Sequence, residues 1–205
     1  MNLLASQKFK YLDIIKYGIY SIGKEAKISD IKEVFRGEAK VVDDSDDMDV
    51  YSTNHAYLGQ EHLRLDFKYN DFYGFIDFDL MPNDHFLKSE EQAKRLVNFK
   101  TQIFANNDLA KLPLINAAVY LDLKKEYGVP NNFDQFERKK KKEFIKMDKL
   151  LRQQYKLFGA NSDEIQIWYI EKQEIYYLVS FYYFKGGINV PPYLSFAITE
   201  MFKFL

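Results

Sequence analysis

The chain has 205 residues, enough for one large domain, with 47% hydrophobic and 29% charged residues, the composition of a packed domain and not of a disordered chain. Its 29 basic and 30 acidic residues give a net charge of −1, which argues against a surface built wholly for nucleic acid. Cysteine is absent, which excludes disulfides, thiolate metal sites and a cysteine nucleophile.

Leu4, Phe9, Leu12, Ile15, Ile19 and Ile22 fall at helical spacing, so a first helix is expected over residues 3–20, ending near Gly18 or Gly23. Lys8 and Lys10 interrupt any apolar start, so no signal peptide is expected. Ser29 reads as the N-cap of a short helix Asp30–Arg36, stopped by Gly37. A polar acidic loop is expected over Asp43–Asp49.

Alternation is clearest in the next segment. Leu63, Leu65, Phe67 and Tyr69 alternate with Arg64, Asp66 and Lys68, and Ile76, Phe78 and Leu80 alternate with Asp77 and Asp79. A hairpin with its turn over Asn70–Gly74 pairs Leu63 with Leu80, Leu65 with Phe78 and Phe67 with Ile76. That register sets Arg64 beside Asp79 and Asp66 beside Asp77 on the other face, where two like charges repel.

Ser89 and Gln92 form a capping-box pattern, and Leu96, Phe99, Ile103 and Phe104 predict a helical stripe after it. A helix is predicted over Leu109–Tyr127, with Pro113 in its first turn and Gly128 closing it. A long helix is predicted over Phe133–Phe158, its apolar face running from Phe133 and Phe136 through Phe144, Met147, Leu151 and Tyr155. Strands are predicted over Ile165–Ile170, Ile175–Phe184 and Tyr193–Thr199, the middle one central. Phe202, Phe204 and Leu205 are expected to dock on the body. Charge-free runs such as Gly186–Thr199, which holds Pro191 and Pro192, fall short of the ~20 residues a membrane helix needs. No membrane is therefore expected as a partner, and the expected location is the cytoplasm.

The elements add up to an α+β fold: antiparallel β-meanders with helices packed on the sheet, in one domain spanning 1–205 with halves 1–86 and 87–205. The halves echo each other. Asp30–Gly37 and Asp122–Gly128 both run from Asp, aliphatic and Lys through an aromatic residue to Gly, each leading into strands. Duplication accounts for the echo, and so does the shared grammar of helix ends.

Ile31–Gly37, the Leu63-Arg64-Leu65-Asp66-Phe67 strand and the Gly74-Phe75-Ile76-Asp77-Phe78 strand form a pattern of short helix, variable acidic loop and alternating hairpin. The pattern resembles the small bacterial immunity proteins of contact-dependent and polymorphic toxin systems, over about 28–80 and more weakly over 120–198. The resemblance implies a protein that binds and blocks a cognate toxin, and it carries no catalytic residues or cofactor with it.

The acidic run supplies the expected means. Asp43, Asp44, Asp46, Asp47 and Asp49 repel one another and favour a basic partner, as do Asp66, Asp77 and Asp79 on the outer hairpin face. The expected mechanism is charge-assisted occlusion of a basic cleft, a nuclease cleft being the natural case. An EF-hand reading fails, because a loop counted from Asp44 places Met48 at position 5, Asp49 at 6 and His55 at 12.

Two alternatives remain at this stage. A metal-dependent hydrolase would use Asp66, Asp77, Asp79 and one of His55, His62 and His85, although no zinc, phosphate-loop or nucleophile-elbow motif is present. A nucleic-acid-associated protein would use the basic run Arg138-Lys139-Lys140-Lys141-Lys142, part of a stretch 134–156 with a local charge of +5. The 35 aromatic residues, Phe 18, Tyr 16 and Trp 1, fit either AT-rich coding or a recognition surface.

Overall fold

A computed structural model describes residues 3–35, 39–44, 61–69, 72–81, 94–105, 109–157 and 165–201. Helix α1 (Leu3–Ser21) leads through a two-residue strand β1 (Glu25–Ala26) to α2 (Ile28–Val34). A meander follows: β2 (Ala39–Asp44), β3 (Glu61–Tyr69), β4 (Phe72–Met81) and β5 (Lys94–Ala105). Helix α3 (Lys111–Tyr127), a 3-10 turn over Phe133–Gln135 and helix α4 (Arg138–Leu157) precede a second meander of β6 (Gln166–Lys172), β7 (Ile175–Phe184) and β8 (Tyr193–Met201).

The order across the sheet is β2-β3-β4-β5-β8-β7-β6, antiparallel throughout, with β1 added beside β5. The fold is thus α+β, as the alternation and helical stripes predicted. The two meanders are joined edge to edge through their last strands, Phe99 opposite Ile198 and Thr101 opposite Phe196. This seam makes one continuous sheet of the two halves.

Strand alternation gives each face its own cover. Leu63, Leu65, Ile76, Phe78, Phe99, Phe196, Val179 and Trp168 point to one face and form the main core with α1, α2 and α3. Tyr17 and Phe35 meet Phe78 edge-on or tilted on this side, with ring centroids 6.1 and 5.8 Å away. Gly18 of α1 lies so close to the Phe99 ring that a Cβ would enter it. On the other face Ile167, Tyr169, Tyr176, Leu178 and Tyr182 meet α4 through Phe144, Met147 and Tyr155. The prediction that Ile175–Phe184 is a central strand holds: β7 lies between β6 and β8, apolar on both faces because both are covered.

Several elements differ from the sequence reading. Residues 94–105 form a strand instead of a helix, while Ser89 and Gln92 lie outside the described residues. Phe99 and Ile103 are four apart, a spacing that suits both a helix and a strand. Thr101, fully buried between them, hides the alternation, and a register shift between Asp79 and Leu80 absorbs the odd step from Leu96 to Phe99. The short helix starts at Ile28 after an extended Lys27, so Ser29 lies inside it and its hydroxyl meets Asp30.

The long helix is split: Phe136 is extended and α4 begins at Arg138. Phe133 and Phe136 still join the apolar cluster with Phe144, Met147 and Tyr155, whereas Leu151 is half-buried and outside that cluster, and Phe158 lies outside the described residues. Asp43 and Asp44 belong to β2 and not to a loop, while Asp46, Asp47 and Asp49 lie outside the described residues, as do Phe202–Leu205. The echo pairs unlike elements, since α2 is a separate short helix whereas Asp122–Tyr127 is the end of α3. By position in the fold, α3 answers to α1, against which it packs.

The hairpin register is shifted by two residues. Leu63 pairs with Phe78, Leu65 with Ile76 and Phe67 with Gly74. A two-residue shift keeps every side chain on its face, so alternation alone does not distinguish the two registers. Local fit does: Gly74 lacks the Cβ that would strike the Gln102 carbonyl and come within 2.7 Å of Phe67 Cζ. The charges also fit better, because Asp66 now faces Phe75 and Asp77 faces Arg64.

Candidate partner-binding face

Helix α4 rests on β6–β8, and among the described residues no helix lies over the same face of β3, β4 and β5. This half of the sheet carries the polar positions of the hairpin. At its centre Arg64 clasps Asp77 with two parallel bonds, Nε to Oδ1 at 2.6 Å and Nη2 to Oδ2 at 2.8 Å. The guanidinium also lies over the Phe75 ring, 4.3 Å from its centroid, with Lys100 Nζ at 5.7 Å.

A hydrogen-bonded chain runs beside this pair across four strands. Asp79 Oδ1 lies 2.6 Å from His62 Nδ1, and its Oδ2 accepts from Asn98 Nδ2 at 2.7 Å. Thr199 Oγ1 in turn donates to Asn98 Oδ1 at 2.6 Å. The bond to Asp79 raises the His62 pKa; burial and Arg64 oppose that rise, and the Asp79 and Asp77 charges add to it. His62 Nε2 lies 3.7 Å from Asp77 Oδ1, so both ring nitrogens face carboxylates. The arrangement favours the protonated ring, with one nitrogen bonded to Asp79 and the other turned toward Asp77. Among the described residues no group of three His, Asp or Glu side chains forms a metal-binding set.

The carboxylates singled out in the sequence therefore have different surroundings. Asp66 is exposed, at the register position opposite Lys40 of β2. Asp77 is 5% exposed and engaged by Arg64, and Asp79 is shared between His62 and Asn98. Asp43 and Asp44 stand opposite Arg64 and Leu63 on the sheet edge. The bulge between Val41 and Asp43 sits at this point in the ladder.

Periodicity did not single out the aromatic row at the Tyr73 end of the same face. Tyr73 stacks on Phe104 at 5.2 Å, Phe104 meets Tyr193 at 5.3 Å, and Tyr193 meets Phe184 at 5.1 Å and Tyr182 at 5.9 Å. The row crosses β4, β5, β8 and β7 and ends against Tyr155 of α4. Tyr73 is exposed and Lys68 is its cross-strand partner. The signal in sequence is weak, because the row is assembled from four strands far apart along the chain.

The basic run opens α4, with Lys140 and Lys141 half-buried. Lys140 bonds Glu143 and sits 5.3 Å from the Tyr176 ring, Lys141 pairs with Asp134, and Arg152 reaches Asp148, the Ile165 carbonyl and Asn131. Arg152 thus fastens α4 to the loop at Asn131 and to the residue that precedes β6. Arg138, Lys139 and Lys142 are exposed and make no ion pair among the described residues.

Comparison with known proteins finds no match: no family model, no curated protein and no solved structure is similar to this chain.

Proposed function

We propose that the chain is a binding protein that neutralises a cognate protein toxin, with the β3–β5 half of the sheet as its contact face. The carrying observation is the row of Tyr73, Phe104 and Tyr193 beside Arg64, Phe75 and Lys100 on a face that no described helix covers. Aromatic and arginine side chains provide most anchor residues at protein interfaces, and here the ladder holds them in place before any partner arrives. The toxin-neutralising class follows the resemblance of the Ile31–Gly37 and Leu63–Phe78 pattern. In this reading the apolar and aromatic contacts supply affinity. The acidic run 43–49 speeds encounter with a basic partner, because Asp77 and Asp79 are already engaged within the protein.

The test uses the product of the neighbouring gene, which on this reading carries the cognate toxin domain. Tyr73→Ala is expected to weaken binding at least about tenfold, as loss of an anchor does. Leu114→Ala, an exposed position on α3, is the control and leaves affinity unchanged. Replacing Asp43, Asp44, Asp46, Asp47 and Asp49 by Asn slows association and flattens its salt dependence. Absence of a complex with that domain, or equal affinity for Tyr73→Ala and the parent, refutes the reading.

A further inference from the structure

A crevice of about 550 Å³ lies between α1, α3 and the end of β6, on the opposite side of the sheet from the proposed contact face. Its volume is in the range of small-molecule sites. The floor is hydrocarbon: Leu12 and Ile15 of α1 face Val119 and Leu123 of α3, all buried. One end is cationic. Lys24, just past α1, and Lys172, at the end of β6, both line it.

Lys172 Nζ is already anchored at 3.1 Å on the Ile22 carbonyl, and Lys24 Nζ sits 2.9 Å over the centroid of the exposed Tyr20 ring. Burial first, and then the Lys24 charge, holds the Lys172 pKa below the usual lysine value, with Tyr20 opposing the shift. An anion between the two ammonium groups relieves the repulsion from Lys24. Lys16 on α1 and Asp122 and Glu126 on α3 complete the rim, leaving three positive against two negative groups.

We propose that this crevice binds a small amphiphilic carboxylate, its alkyl chain on the Leu12–Leu123 floor and its head group between Lys24 and Lys172. The site is independent of the toxin-binding reading. Neutral alcohols of the same length lack the head-group attraction, and cationic amphiphiles are repelled.

Calorimetric titration of the intact chain with octanoate, decanoate, decanol and decyltrimethylammonium decides the matter. Decanoate is expected to bind at one site per chain, about fifteenfold tighter than octanoate for its two extra methylenes. It is expected to bind at least tenfold tighter than decanol, with decyltrimethylammonium weakest. Lys24→Gln with Lys172→Gln, checked as folded by circular dichroism, is expected to lower decanoate affinity to that of decanol while leaving decanol unchanged. No saturable binding of decanoate, an equal affinity for the ammonium amphiphile, or an unchanged decanoate affinity in the double variant overturns the proposal.

Discussion

Arg64→Met removes the guanidinium and leaves the Asp77 carboxylate, whose side chain is 8% exposed, without its bidentate partner. Methionine keeps a flexible apolar stem against Phe75, so packing is largely retained. Breaking a buried pair from one side costs about 3–5 kcal/mol, but the Arg64 side chain is 40% exposed and water reaches the vacated side. The expected loss is therefore about 2 kcal/mol, a fall of roughly 4–8 °C in Tm for a chain of this size. Urea denaturation of the parent, Arg64→Met, Asp77→Leu and the double variant separates the pair from other contacts of each side chain. The double variant is expected to be more stable than the sum of the single losses allows, by about 1–3 kcal/mol, because no charge is then buried alone. Additive losses, or an Arg64→Met cost below about 0.5 kcal/mol, would show that the clasp contributes little to stability.

Three other outcomes follow from the same structure. His62 has a raised pKa from its bond to Asp79, so its contribution to stability is full below about pH 6.5 and is lost as pH rises through the folded value. Denaturation curves from pH 5.5 to 8.5 are expected to show this decline in the parent and not in Asp79→Asn; a parallel slope in both would contradict it. Gly74→Val forces a side chain into the Gln102 carbonyl and Phe67, and is expected to cost at least about 2 kcal/mol by urea titration, whereas Gly128→Ala, which meets no neighbour within 4 Å, costs less despite its φ of +77°. Trp168 is fully buried and donates to the Gly128 carbonyl at 2.9 Å, so the sole tryptophan is expected to emit blue-shifted fluorescence that resists acrylamide quenching until the chain unfolds. A red, readily quenched emission in the native protein would place it wrongly.

The sequence by itself determined the elements whose burial has one period over a long enough run. The α1 stripe, the Leu63–Tyr69 and Ile76–Leu80 strands, α3 with its Pro113 start and Gly128 end, and all three C-terminal strands were legible because apolar side chains recur at the spacing of the structure that buries them. Only the tertiary structure decided β5, where a buried Thr101 and a bulge broke the pattern, and the hairpin register, where alternation admits any shift of two. It also decided the fate of the carboxylates. Asp66, Asp77 and Asp79 look alike in sequence, yet one is exposed, one is clasped by Arg64 and one is shared by His62 and Asn98. The aromatic row was beyond reach of local reading for the same reason: Tyr73, Phe104, Tyr193 and Phe184 meet only because β5 pairs with β8. Periodicity records which side of a strand faces the core, but which strands become neighbours depends on how the whole core packs.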